Sequence, residues 1–133
     1  MPPAPATALY AAILALVFVA LSARVIVRRR AARVSIGMGG DAGLERRARV
    51  HANFAEYVPL ALVLLLLAEL SRSPAWLLHL AGIALVLGRV AHAVGLSRRP
   101  EDFRLRVAGM VATLTTILVL ALVLVVRSVA RGL

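Results

Sequence analysis

The sequence has 133 residues, is 62% hydrophobic and carries a formal net charge of +10, with a mean hydropathy of +0.92. That apolarity exceeds what a water-soluble domain of this length needs to fill a core, so the chain reads as an integral membrane protein. It contains no cysteine, which excludes disulfides, thiolate nucleophiles and cysteine-ligated metals of its own. All sixteen basic residues are arginine, and most stand between or at the ends of apolar segments. Charge placed there sets topology and meets anionic head groups. A nucleic-acid-binding protein would need a basic soluble module, and none is legible.

The expected fold class is all-α: a four-helix membrane bundle in one domain over residues 1–133. Met1 to Pro5 reads as a short extended lead-in whose lack of basic residues argues against a cleaved signal peptide. Four spans follow, each near the ~20 residues that a bilayer core requires. The first runs from about Ala6 to Val27 and the second from about Val50 to Leu70. The third runs from about Ala75 to Leu96 and the fourth from about Val107 to Val126. Between them lie a glycine-rich loop at Gly37–Gly43, a tight Ser71–Pro74 connection with Pro74 placed to start a helix, and a charged turn at Arg98–Asp102.

Loops one and three together carry twelve arginines: Arg24, Arg28, Arg29, Arg30, Arg33, Arg46, Arg47, Arg49, Arg98, Arg99, Arg104 and Arg106. Loop two and the C-terminus carry Arg72, Arg127 and Arg131. The positive-inside rule therefore predicts cytoplasmic loops one and three, with both termini outside.

The most telling stretch opens the second span. Arg49, Asn53 and Glu56 stand at i, i+4 and i+7, one face of a helix, and run directly into an uncharged segment from Val58 to Ala68. A carboxylate at that depth costs roughly 2.5–3.5 kcal/mol on insertion scales, so it needs a partner or a wet cavity. Arg49 is the candidate counter-ion on the same helix. Arg89 and His92, at i and i+3 on the third span, are expected at the same depth. Two polar stripes at one level predict an anion- or zwitterion-binding pocket between helices; the plainer reading is a structural Glu56–Arg89 ion pair.

The other polar residues read more simply. Glu69 is expected to snorkel to the interface, His79 to pack or sit at the interface, and His51 lies on the side away from Asn53, where it could face head groups. Gly82, Gly88 and Gly95 would permit close helix contact, and Thr113 to Thr116 would bond back to their own helix. The three histidines are not at zinc-like spacing.

Taken together, Glu45-Arg46-x-x-Arg49-x-His51-x-Asn53-x-x-Glu56-Tyr57-x-Pro59 and Gly88-Arg89-x-x-His92-x-x-Gly95 resemble motifs of the MAPEG family, the membrane-associated proteins of eicosanoid and glutathione metabolism. The similarity covers nearly the whole chain. It implies a homotrimer of four-helix subunits, with glutathione bound between neighbours at the cytoplasmic side. By that resemblance Arg49 and Asn53 would hold the tripeptide's carboxylate and amide groups, Glu56 its γ-glutamyl ammonium, and Tyr57 would line the pocket. Arg89 and His92 would contribute to its wall. Arg29, with Arg28 and Arg30 as rivals, would reach in from the adjacent subunit. An arginine opening the fourth helix of a neighbour would stabilise the glutathione thiolate; the candidates are Arg104 and Arg106, and Arg106 better matches the bacterial pattern.

The implied activity is that of a glutathione S-transferase or peroxidase acting on apolar, lipid-soluble electrophiles. Two departures point to a divergent bacterial member of an inner membrane: Leu96 stands where the family often has tyrosine, and Ala52 where the prostaglandin synthase has arginine. The rival reading is a non-enzymatic protein of the same fold that uses the polar cluster for assembly or for regulating a partner. A small multidrug transporter is disfavoured, because such proteins use a carboxylate in the first span and this span has none.

Overall fold

In the computed structural model, which describes residues 4–130 and 132, helix α1 runs from Pro5 to Ala32. The expected lead-in at residues 1–3, and Arg131, lie outside the described residues. Proline is tolerated at the first helical position because that N–H would have no intrahelical partner to lose. The next two N–H groups, of Ala6 and Thr7, donate to Glu69 Oε1 and Oε2 at 2.9 and 2.7 Å. Glu69, one residue from the end of α2, therefore caps the start of α1. A carboxylate at a helix amino end satisfies orphan donors and meets the positive end of the helix dipole.

Helix α1 closes at Arg33, which adopts the left-handed conformation (φ 53). The loop beyond it turns through Gly37, Gly39 and Gly40, all at positive φ, a region that residues with a Cβ rarely enter. Helix α2 (Ala42–Leu70) begins at Asp41. The Asp41 carboxylate accepts from the Leu44 N–H at 2.7 Å, and from Arg28 Nε and Nη2 at 3.2 and 2.6 Å. One side chain thus caps α2 and ties it to the end of α1.

The Arg28 guanidinium, followed by the Leu44 N–H, holds the Asp41 carboxyl below the usual carboxylate range. Because the folded-state value is the lower one, this contact stabilises the loop at neutral pH. Its contribution is lost as pH falls through the depressed value. Hydrogen exchange at residues 33–41 during acid titration is expected to show the loop opening there. In Asp41→Asn the same amides should already exchange fast at neutral pH, with no acid transition.

Helix α3 (Ala75–Ser97) follows a connection in which Arg72 takes positive φ, and α4 (Phe103–Ala130) follows the charged turn, whose Arg99–Pro100 peptide is cis. All four helices are long and apolar enough to cross a membrane. Each except α3 overruns its expected span by a turn or more at an arginine-bearing end, because arginine is a good helix former even where it ends the apolar run.

Helices α2 and α3 each pack against all three others, whereas α1 and α4 do not meet. Two apolar layers fill the interior. One centres on Leu14, Leu21, Phe54, Val58 and Leu85, and the other on Tyr10, Leu65, Leu78 and Leu120. Small residues set the closest approaches, as expected where lipid supplies no hydrophobic drive between helices. A Cβ at Gly82 would collide with the Tyr10 ring, and one at Gly95 would lie 2.5 Å from the Arg106 nitrogen. Gly109, which the sequence did not single out, is the tightest of these on α4. A Cβ there would strike the Gly88 carbonyl oxygen and come within 2.5 Å of the His92 nitrogen. Backbone cannot swing aside as a side chain can, so Gly109→Ala is expected to cost about 1–3 kcal/mol. That loss should appear as a lowered melting temperature of the purified protein in detergent.

Candidate functional site

Arg89 is the largest fully buried side chain among the described residues, at 1% exposure. It projects from α3 with no carboxylate beside it. Its Nε donates to Thr113 Oγ1 at 2.9 Å, and its Nη1 donates to Asn53 Oδ1 at 2.8 Å and to the Asn53 carbonyl at 3.4 Å. Nη2 points at the Met110 sulfur at 3.6 Å. The guanidinium carbon lies 5.7 Å from the centroid of the Tyr57 ring, within cation–π range. Thr113 can accept from Arg89 because its own hydroxyl proton goes to the Gly109 carbonyl at 2.9 Å. Thr113 and Thr116 do bond back to their own helix, but Thr113 serves Arg89 as well. The Glu56–Arg89 ion pair is therefore not formed. Neutral oxygens, a sulfur and a ring solvate this cation.

Beside Arg89 lies a cleft of about 350 Å³ between α2, α3 and α4. Asn53, His92 and Arg106 supply its polar atoms, while Phe103, Met110 and Leu114 form part of its apolar wall. Since the Asn53 side-chain oxygen accepts from Arg89, its amide N–H groups are the donors left for another molecule. Arg106 is held by Glu101 at 2.6 Å. Glu101 also lies 3.7 Å from Arg46, whose Nη1 donates to the Leu96 carbonyl at 3.0 Å. Arg104 is exposed and does not line the cleft. Of the two arginines proposed from sequence at the start of the fourth helix, Arg106 lines the cleft, and it does so within the same chain as Asn53 and His92.

The rest of the second-span stripe divides. Asn53 turns inward, whereas Arg49 and Glu56 are exposed on the outside of the subunit. Among the described residues neither forms an ion pair, so Arg49 is not the counter-ion of Glu56. The cause is geometric: two residues seven apart are separated by about 10 Å of helix rise, beyond salt-bridge reach. Glu56 lies midway along α2, fourteen residues from each end. Arg29 donates to the Gly37 carbonyl at 2.7 Å in the first loop.

His51 links two helices. It shares a hydrogen bond with Ser22 Oγ at 3.0 Å and lies 4.8 Å from the Phe18 ring, joining α2 to α1. His79, at the other end of the bundle, pairs with Tyr10 at 3.0 Å. Sequence reasoning missed Thr113 and Met110 as partners of Arg89, and Glu101 as the acceptor for Arg106. The available signal was a buried arginine on α3 with no nearby acid, which requires acceptors from a neighbouring helix.

A multi-pass bundle with a buried arginine and an arginine-lined cleft near one end of apolar helices defines a class of membrane protein built around a polar pocket. The chain belongs to the MAPEG family, whose model matches residues 7–126. It is similar to the inner membrane protein YecN of Escherichia coli K12, with 39% identity over 116 residues that make up 87% of each chain. The protein of the same name from Escherichia coli O6:H1 matches to the same extent.

Arg89 ties α2 and α4 to α3, so its loss should register in stability. Methionine in its place would leave the Asn53 side-chain oxygen without its donor, and a buried acceptor left unmet costs about 1–3 kcal/mol. Arg89→Met is therefore expected to lower the melting temperature of the purified protein in detergent. An unchanged melting temperature would mean that the arginine does not hold the three helices together.

Proposed function

We propose that this protein is a glutathione-binding homotrimer of a bacterial inner membrane, acting as a glutathione S-transferase or peroxidase on apolar electrophiles. The observation that carries the reading is Glu56, exposed midway along α2 with no ion-pair partner among the described residues, with Arg49 exposed two turns before it. An intramembrane acid is costly unless something meets it. A neighbouring subunit together with a zwitterionic tripeptide would do so.

Glutathione has two carboxylates and one ammonium, and the residues fit it in number and sign. Arg49 and the free Asn53 amide donors suit carboxylate and peptide oxygens, Glu56 suits the ammonium, Tyr57 and His92 contribute to the wall, and buried Arg89 acts from behind it by holding Asn53 in place. Arg29 would come from the adjacent subunit. Arg106 is the cation for the thiolate: a nearby positive charge lowers the thiol pKa, and the thiolate attacks the electrophilic carbon, forming a thioether as the leaving group departs with its electron pair. Loops one and three would face the cytoplasm by their arginine excess. The apolar wall formed by Phe103, Met110 and Leu114 would admit a substrate dissolved in lipid.

One observation favours a second reading. Arg106 is already paired with Glu101 at 2.6 Å, which would occupy its charge in a non-enzymatic relative that uses the polar cluster for assembly or partner regulation. The two readings part experimentally.

Calorimetric titration of glutathione into the purified protein is expected to show binding that weakens about tenfold or more in Glu56→Gln, the loss of one charge-assisted hydrogen bond. Equal affinity in both, or no heat in either, would remove the glutathione reading. Conjugation of glutathione to a generic apolar electrophile should fall about tenfold or more in Arg106→Ala, one pKa unit of thiolate stabilisation. Arg104→Ala should be unchanged. Binding without any turnover would establish the second reading.

A further inference from the structure

A second polar cavity, of about 210 Å³, lies at the arginine-rich end of the bundle and shares no lining residue with the Arg106 cleft. Three parts of the chain build it. Arg24 and Arg28 come from the last turns of α1, Arg46 and Arg47 from the first turns of α2, and Arg99 from the turn after α3, with Ser97 beside it. The guanidiniums converge: a Cβ placed on Gly43 would lie 3.3 Å from both Arg28 Nε and Arg99 Nη2. Gly43 therefore makes room for two cations to approach the start of α2 from different elements.

The cations outnumber the acids that reach them. Asp41 neutralises Arg28 at 2.6 Å. Glu101 lies 3.7 Å from Arg46 and 2.6 Å from Arg106, so one acid is shared by two arginines. Among the described residues Arg24, Arg47 and Arg99 have no ion pair. Arg46 Nε is buried without a hydrogen-bond acceptor, a donor that is costly to leave unmet. Arg24 Nη2 donates to Ser97 Oγ at 3.2 Å, which leaves the serine proton free to donate onward.

Like charges gathered around one cavity repel unless an anion joins them. The geometry favours a tetrahedral anion over a carboxylate. Several planar forks arriving from separate helices present more donors than two carboxylate oxygens can accept, and arginine forks match phosphate oxygens bidentately. We infer that this cavity is a phosphate-binding site, formed by Arg24, Arg28, Arg46, Arg47, Arg99 and Ser97. Its place just beyond the apolar run of α2 allows two sources for that group. One is the head group of an anionic phospholipid, and the other a phosphate ester free in solution. The site shares no lining residue with the Asn53–Arg106 cleft, and the inference does not rest on glutathione binding there.

Thermal melting of the full-length protein in a neutral detergent tests this with two probes. The first is dioleoyl phosphatidylglycerol against dioleoyl phosphatidylcholine, and the second inorganic phosphate against chloride at matched ionic strength. The double variant Arg47→Gln, Arg99→Gln is compared with Arg30→Gln, Arg33→Gln, which removes the same charge from exposed positions outside the cavity. The concentration of the effective probe needed for half-maximal stabilisation should rise about tenfold or more in the first pair and stay within about twofold in the second. Stabilisation by the glycerol lipid alone assigns a lipid head group, and stabilisation by inorganic phosphate assigns a soluble phosphate ester. If the glutamine pair does not fold, Arg47→Lys with Arg99→Lys keeps the charge and loses the forks, and should weaken binding in the same direction. No stabilisation by either probe, or equal weakening in both double variants, would overturn the proposal; the latter would mean diffuse charge attraction.

Discussion

The bundle is organised around one cation. Arg89 is withdrawn from solvent on α3, and its hydrogen bonds run to Asn53 on α2 and to Thr113 on α4. Among the described residues no acid is buried with it, so the cost of desolvation is offset by neutral acceptors and by the Tyr57 ring. Such a set is exacting: each acceptor must be within hydrogen-bond reach, which fixes the relative placement of three helices. The tight α3–α4 approach follows from the same need. Gly88 and Gly109 let the two backbones come close enough for Thr113 to reach the guanidinium.

Around that centre the polar chemistry sorts by depth. The cleft lined by Asn53, His92 and Arg106 adjoins Arg89. Beyond it, Glu101 stands between Arg106 and Arg46, and beyond that the two loops bring five arginines to one cavity. The opposite end is organised differently, with Glu69 on the first turn of α1 and Tyr10 paired with His79. Arginine is therefore confined almost wholly to one half of the molecule, and the acids are spent mainly on helix ends and on holding arginines in place. Glu56 is the exception, and for that reason carries the functional reading.

Much of this was legible in the chain. Long uncharged runs give four helices, because a bilayer leaves backbone no partner other than itself. The stripe from Arg49 to Glu56 and the pair Arg89 and His92 mark the level of the cleft, since polar residues inside apolar runs are too few to miss. What sequence could not give was direction. Residues at i, i+4 and i+7 share a face, but the edge of a helix can divide that face, as it does between inward Asn53 and outward Glu56. Nor could it reveal that Glu69 serves α1, because that contact joins residues 62 and 63 positions apart. The Glu101–Arg106 pair was hidden for a simpler reason: both belong to a stretch that reads as an ordinary charged turn.

The Glu69 contact bears on how the protein enters the bilayer. The amino end of the first helix obtains its acceptor from the far end of the second, so during synthesis its amide hydrogens emerge well before the oxygens that will bind them. Until then those groups must remain at the hydrated surface, since lipid offers them nothing. The first helix thus reaches its final depth together with the second, and the insertion unit is a hairpin, not a single rod.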